Sequence, residues 1–276
     1  MSDPDAQRRD CLELWDGAAD GWRRAQPWMR DYAAGVSHWL IDAIEPQPGQ
    51  TILELAAGPG ETGLLAAELV SPGGKLISTD QSEAMVEIAR ARAAELGVTN
   101  VEHKVMNAES IDLDVASVDA VLCRWGLMLM VDPAAALVES RRVLRPGGHL
   151  ALAVWAEPDA NPWLVLPNRV FVEHGLLDAP EPGTPGAFAL SEPVKLEALL
   201  EEAGFAEIEL DTIDLVRRAP SFEAWWEMHL DMSPAGRAVR EVHDPSIAAE
   251  VKHALAPYGG GEIAVPGRCL MARASA

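Results

Sequence analysis

Between residues 10 and 42 the apolar and aromatic positions return every three or four residues: Leu12, Trp15, Ala19 and Trp22, then Trp28, Tyr32, Val36, Trp39 and Leu40. That period puts them on one face of a helix, so the spacing predicts helices ahead of the first strand. The pattern changes at Pro46. TILELAA reads as a buried strand, GPGETG as a glycine-rich turn and the apolar run to Leu69 as a helix; KLISTD is a second strand, followed by a helix from Ser82 to Leu96 and the strand VEHKV. Ser82 is placed to cap the start of its helix, and Gly97 to adopt the left-handed turn that closes it. VDAVLC, a helix through Ala134 to Leu144, the turn RPGG and the strand HLALAVW continue the alternation. Strands alternating with helices predict an α/β fold with a doubly wound, mostly parallel sheet.

After Trp155 the text changes again. Prolines 158, 162, 167, 180, 182, 185 and 193 suit an irregular insertion with a short helix better than a sheet. SEPVKLEALLEEAGF reads as a helix capped by Ser191 and ended at Gly204, FAEIELDTIDLV as a strand, and residues 221 to 257 as two or three further helices. EIAVPGRCLMARA supplies a last strand. The expected organisation is an N-terminal helical lid over 1–45, an α/β core over 46–156, a cap insertion over 157–190, a core helix and strand over 191–220, a helical cap insertion over 221–260 and a last core strand over 261–276.

Composition narrows the partners. With 22 basic and 43 acidic side chains the formal charge is −21, so nucleic acid and anionic membrane are poor partners, because phosphate binding needs clustered Lys and Arg. No window approaches the run of roughly 18 to 20 apolar residues that a membrane helix needs, and the polar N-terminus shows no signal-peptide core. A cytoplasmic monomer or homodimer is expected. Cys11, Cys123 and Cys269 are far apart and in no metal-ligand spacing, which disfavours disulfides and structural zinc. Tryptophan is the unusual feature: nine are present against four Phe and two Tyr, and all but Trp125 lie outside residues 50 to 150.

The candidate chemistry centres on ILELAAGPGETG. Gly58, Gly60 and Gly63 form a G-x-G-x-x-G turn between strand and helix, where the absence of Cβ atoms lets a ligand approach the backbone. Asp80 ends the next strand 22 residues after Gly58, where a carboxylate can accept both ribose hydroxyls. These features alone do not separate a nicotinamide enzyme from other nucleoside binders. Four more do: Glu54 inside the first strand, Asn107-Ala108-Glu109 after the third, VDAVLCRWGLMLMVDP, and RVLRPGGHLALAVW.

At these residues the chain resembles the class I S-adenosylmethionine-dependent methyltransferases, on the small-molecule branch similar to the ubiquinone/menaquinone C-methyltransferases. The resemblance covers residues 10 to 215 and is densest from 50 to 155. It implies that Glu54, Ala56, Gly58 and Gly60 hold the methionine part of the cofactor, that Asp80 and Gln81 bind ribose, and that Asn107, Ala108 and Glu109 bind adenine, with Met85 packed on it. Ala56 and Asn107 depart from the Gly and Asp common at those places. Arg124 is expected against cofactor or acceptor, and Trp22 nearest the sulfonium, which an indole face attracts. The implied fold is a seven-stranded sheet with the last strand antiparallel and a helical cap from the N-terminal helices and two insertions. The implied acceptor is an apolar or aromatic small molecule. No metal is implied and no catalytic base is assigned, although Tyr32, His38, His174 and His229 are available. A nicotinamide-dependent oxidoreductase is the enzyme alternative, against which no Tyr-x-x-x-Lys pair is present. A cofactor-binding protein without catalysis is the other.

Overall fold

The computed structural model describes residues 3–179, 181, 183–259 and 261–276. The chain opens with one long helix, α1 (Pro4–Ile44), with Asp3 as its N-cap and Pro27 inside it. The helices read ahead of the first strand are therefore one, running unbroken past the amide that Pro27 lacks. The core follows as β1 (Thr51–Glu54), α2 (Glu61–Leu69), β2 (Lys75–Asp80), α3 (Glu83–Leu96), β3 (Val101–Val105), β4 (Val118–Arg124), α4 (Pro133–Val143) and β5 (Leu144–Trp155). Then come α5 (Pro162–Glu173), α6 (Pro193–Glu202), β6 (Ala206–Ala219), α7 (Phe222–Met232), α8 (Gly236–Val242), α9 (Pro245–Ala254) and β7 (Ile263–Ser275).

Among the described residues the strands form one seven-stranded sheet in the order β3-β2-β1-β4-β5-β7-β6. The pairs from β3 to β5 are parallel, and β7 runs antiparallel to both neighbours, β5 and β6, as expected. The central strands are buried on both faces, which explains their near-continuous apolar text. β1 and β4 are adjacent while their helices cover opposite faces, so a crevice opens at the carboxyl ends of these strands.

Local signals held at several termini. The Ser82 side chain accepts from the Met85 amide at 3.2 Å, and Gly97 takes a positive φ of 69° after α3. Two differ. The cap of α6 is Glu192 rather than Ser191, since Pro193 fixes the first helical residue. RPGG is drawn into β5, with Val118 pairing to Leu144 before a register shift at Ala120. The proline-rich segment does contain a helix, α5, within the span read as an insertion; Pro180 and Pro182 lie outside the described residues.

Candidate active site

β1 delivers Glu54 to the start of the glycine turn. Ala56, Gly58 and Gly60 all take positive φ, at 49°, 53° and 84°. A Cβ added to Gly58 would meet nothing within 4 Å, so the outer side of the turn is open to a ligand, whereas one on Gly60 would press on Ala89 at 3.0 Å. Gly63 is needed for a different reason. Its Cβ would collide with the Glu54 carboxylate, which instead accepts from the Gly63 amide at 2.8 Å.

Glu54 is 2% exposed. Burial pushes its carboxyl up to about 7, opposed by the Gly63 amide, the Arg124 charge and the Ser78 hydroxyl, which donates to it at 3.4 Å. The group is thus committed to shaping the turn and the first turn of α2.

Asp80, at the carboxyl end of β2, bridges the same turn to the next helix. One oxygen accepts from the Gly58 amide and the other from the Ser82 amide, each at 2.9 Å. Burial raises its carboxyl above the usual range, and these amides act in the opposite direction. Asn107 accepts from the Glu109 amide at 2.9 Å. The Glu109 carboxylate accepts from the amides of Val131 and Asp132 and from Arg8, so it joins the loop after β3 to the start of α4 and to α1. Ala108 and Met85 are buried, and Arg124 donates to Ser37 at 3.2 Å with its guanidinium over Trp125. Burial lowers the pKa of Arg124, and Glu54 and Glu61 oppose that shift.

The sequence did not disclose how α1 crosses these elements. Arg8 pairs with Glu109 at 2.8 Å, Gln81 donates to Cys11 at 3.3 Å, Ser82 donates to Asp16, Gln26 donates to the Pro59 carbonyl at 3.4 Å, and Ser37 meets Thr62 at 3.0 Å. One helix therefore touches every segment assigned to the cofactor. Trp22 lies between these contacts, edge-to-face with Trp15 at 6.0 Å, its indole N–H buried without a partner. Polar residues one or more turns apart along a helix that begins before the core would have been the only sequence signal.

A second group was read only in part: Tyr32 and His229 were named as available, and Arg217 was missed. Arg217 projects inward from β6, 4% exposed, among Trp28, Tyr32 and Trp163, and His229 on α7 is 3% exposed. The strand alternation held the clue: Arg217 shares a face with Leu215 and Ala219, both buried. His174 pairs with Glu250 on the exposed far side, at 3.1 Å. Among the described residues no group of three side chains is arranged to hold a metal, and no helix is long and apolar enough to cross a membrane.

Residues 46–164 match the family described as a methyltransferase domain. Demethylmenaquinone methyltransferase of Clavibacter sepedonicus is 31% identical over 204 residues, covering 71% of this chain and 78% of that protein. Nocamycin O-methyltransferase of Saccharothrix syringae is 29% identical over 240 residues, covering 82% and 85%. Other curated matches are shorter, spanning 36% and 50% of the relatives' lengths. In fold, the chain is similar to the YcgJ protein of Bacillus subtilis, with a TM-score of 0.62 at 21% identity over 87% of this chain and 97% of that one. Matching domain, relatives and sheet order agree: this chain belongs to the S-adenosylmethionine-dependent methyltransferases.

Proposed function

We propose that this enzyme moves a methyl group from S-adenosylmethionine to an apolar or aromatic small molecule. The observation that carries the reading is Asp80, a buried strand-end carboxylate bonded to the Gly58 amide, which sets the acid and the open side of the glycine turn against each other. Two carboxylate oxygens with lone pairs to spare fit a ribose diol, and the open face at Gly58 fits an extended ligand lying on backbone. The names of the two relatives, one acting on nocamycin and one on demethylmenaquinone, support a small-molecule acceptor.

When bound, the cofactor supplies an electrophilic methyl on a sulfonium, and in-line displacement needs alignment and dryness more than acid–base chemistry. This chain's residues are arranged for both. Asp80 and Gln81 would hold the ribose, Asn107, Ala108 and Glu109 would line the adenine side with Met85 beneath, and Glu54 would fix the turn carrying Ala56, Gly58 and Gly60. α1 would exclude water from above, with Trp22 offering a ring toward the positive charge and Arg124 held by Ser37 at the inner end.

Separate calorimetric titrations with S-adenosylhomocysteine and NADH test the reading. Binding of the first and not the second is expected, and the reverse would establish the oxidoreductase alternative. Asp80→Ala should weaken S-adenosylhomocysteine by about 1.5 to 3 kcal/mol through lost charge-assisted hydrogen bonds. Near-normal affinity in that variant would remove Asp80 from the site.

A further inference from the structure

Arg217 is a buried cation without an anion. Among the described residues no carboxylate lies within ion-pair distance of it, and its Nε has no hydrogen-bond partner. Its guanidinium is instead enclosed by rings, 3.3 Å from the Trp163 centroid, 4.9 Å from Tyr32 and 5.3 Å from Trp28. Faces of aromatic rings compensate a cation only in part, and an unpaired buried charge is strongly disfavoured. Arg217 is not alone in lacking a partner. Six buried side-chain nitrogens and oxygens among the described residues make no hydrogen bond, and the Tyr32 hydroxyl and His229 Nε2 are two more of them. The Tyr32 hydroxyl lies beside the Arg217 guanidinium, and burial, followed by the Arg217 charge, holds the His229 imidazole low, at about 3. His229 is fixed by stacking on Trp225 at 4.8 Å.

The cluster also has a position. Tyr32 is 6.2 Å from Trp125, which directly follows Arg124 at the carboxyl end of β4, and Trp125 stacks on Trp155 at 4.5 Å. Two rings, Tyr32 and Trp125, thus connect Arg217 to the carboxyl end of β4, the neighbour of the strand that leads into the glycine turn. We infer that Arg217, with Tyr32 beside it, is the acceptor subsite for an ionised oxygen acid carried on a flat apolar molecule: an aromatic or conjugated carboxylate, or an enolate. The guanidinium and the Tyr32 hydroxyl would meet the charge, and Trp28 and Trp163 the attached ring. An acceptor that arrives already ionised needs no base, in keeping with the absence of an assigned one.

This rests on the methyltransferase reading, and the experiment separates the two. The full-length protein is titrated with benzoate, 2-naphthoate and cinnamate and with the corresponding neutral amides, with and without S-adenosylhomocysteine. At least one acid should bind about tenfold tighter than its amide. Arg217→Met should abolish that preference, and Arg217→Lys should restore part of it. Since Met removes an uncompensated charge at similar volume, the melting temperature of Arg217→Met should equal or exceed that of the unsubstituted protein; a purely structural ring clamp would lower it. The proposal is overturned if no acid outbinds its amide, or if the preference survives in Arg217→Met. Failure of S-adenosylhomocysteine to bind would instead strike the methyltransferase reading, and the acid–amide contrast measured without it would still decide the subsite.

Discussion

On the N-terminal side of Pro27, α1 meets the rest of the protein chiefly through polar atoms: Arg8 to Glu109, Cys11 to Gln81, Asp16 to Ser82, Gln26 to Pro59 and Arg24 to Asp231. Its buried positions there are the small residues Ala19, Gly21 and Ala25, with Gly21 seated against the Asp231 backbone. On the C-terminal side, Met29, Tyr32, Ala33, Val36, Leu40, Ile41 and Ile44 are buried in the main core. Polar contacts of the first kind trade for water at little net cost, whereas buried apolar surface is worth roughly 25 cal/mol per Å² and cannot be exposed piecemeal. One helix thus joins a half held by exchangeable polar contacts to a half held by buried apolar surface, and Pro27, lacking the amide that would bond one turn back, lies where they meet. The lid read over residues 1–45 is better proposed as its first half alone.

The largest effect should come from the anchored half. Leu40→Ala is expected to lose about 2 to 5 kcal/mol in denaturant unfolding, by the same amount with and without S-adenosylhomocysteine. A loss that varied with ligand would show that this half moves too.

Two deeply buried groups, Glu54 and His229, make the stability of the folded chain sensitive to pH. Glu54 has its carboxyl raised from 4.5 to about 7, so between these values the folded chain keeps a proton the unfolded chain has lost, and stability falls as pH rises. His229 is lowered from 6.5 to about 3, so the unfolded chain binds the extra proton and stability falls as pH drops through that range. The two slopes oppose each other from pH 4.5 to 6.5. Relative to the unsubstituted protein, Glu54→Gln should tilt stability upward with pH across this window and His229→Phe should tilt it downward, as read from urea midpoints at a series of pH values.

For the polar half, Asp16→Ala should weaken S-adenosylhomocysteine by about 1 kcal/mol, roughly fivefold, while moving the melting temperature of the free protein by no more than about 2 °C. The smallest signal is in amide exchange. Residues 4–26 should gain protection on binding S-adenosylhomocysteine, and residues 29–44 should be equally protected in both states. Equal protection along the whole helix would erase the distinction.

The sequence carried the sheet well because its signals were local: a buried strand, a serine cap at Ser82, a glycine stop at Gly97 and an acid at the end of β2 each act within a few residues. It read helices where the structure has one, because the periodic apolar positions fall in two groups, to Trp22 and from Trp28, and local spacing alone does not show that the helix runs unbroken between them. Glu54 was legible as a buried acid, but its bond to Gly63 was not, since that requires the turn to be closed. Arg217 was signalled by the alternation of β6, but its place beside Tyr32 and Trp163 became visible only once the chain was folded.

Ala56 and Gly126 show how such closeness shapes what the chain can become. A Cβ on Gly126 would overlap the Ala56 side chain and lie 3.1 Å from the Cys123 sulfur, while Ala56 itself holds a φ of 49° that glycine adopts without strain. The order of change at the two positions therefore matters. Ala56→Gly removes the methyl that blocks position 126 and relaxes the turn; Gly126→Ala made first would force the β4 loop away from the glycine turn. A side chain at 126 is thus easier to accommodate once glycine stands at 56, so the tolerance of one position depends on the residue at the other.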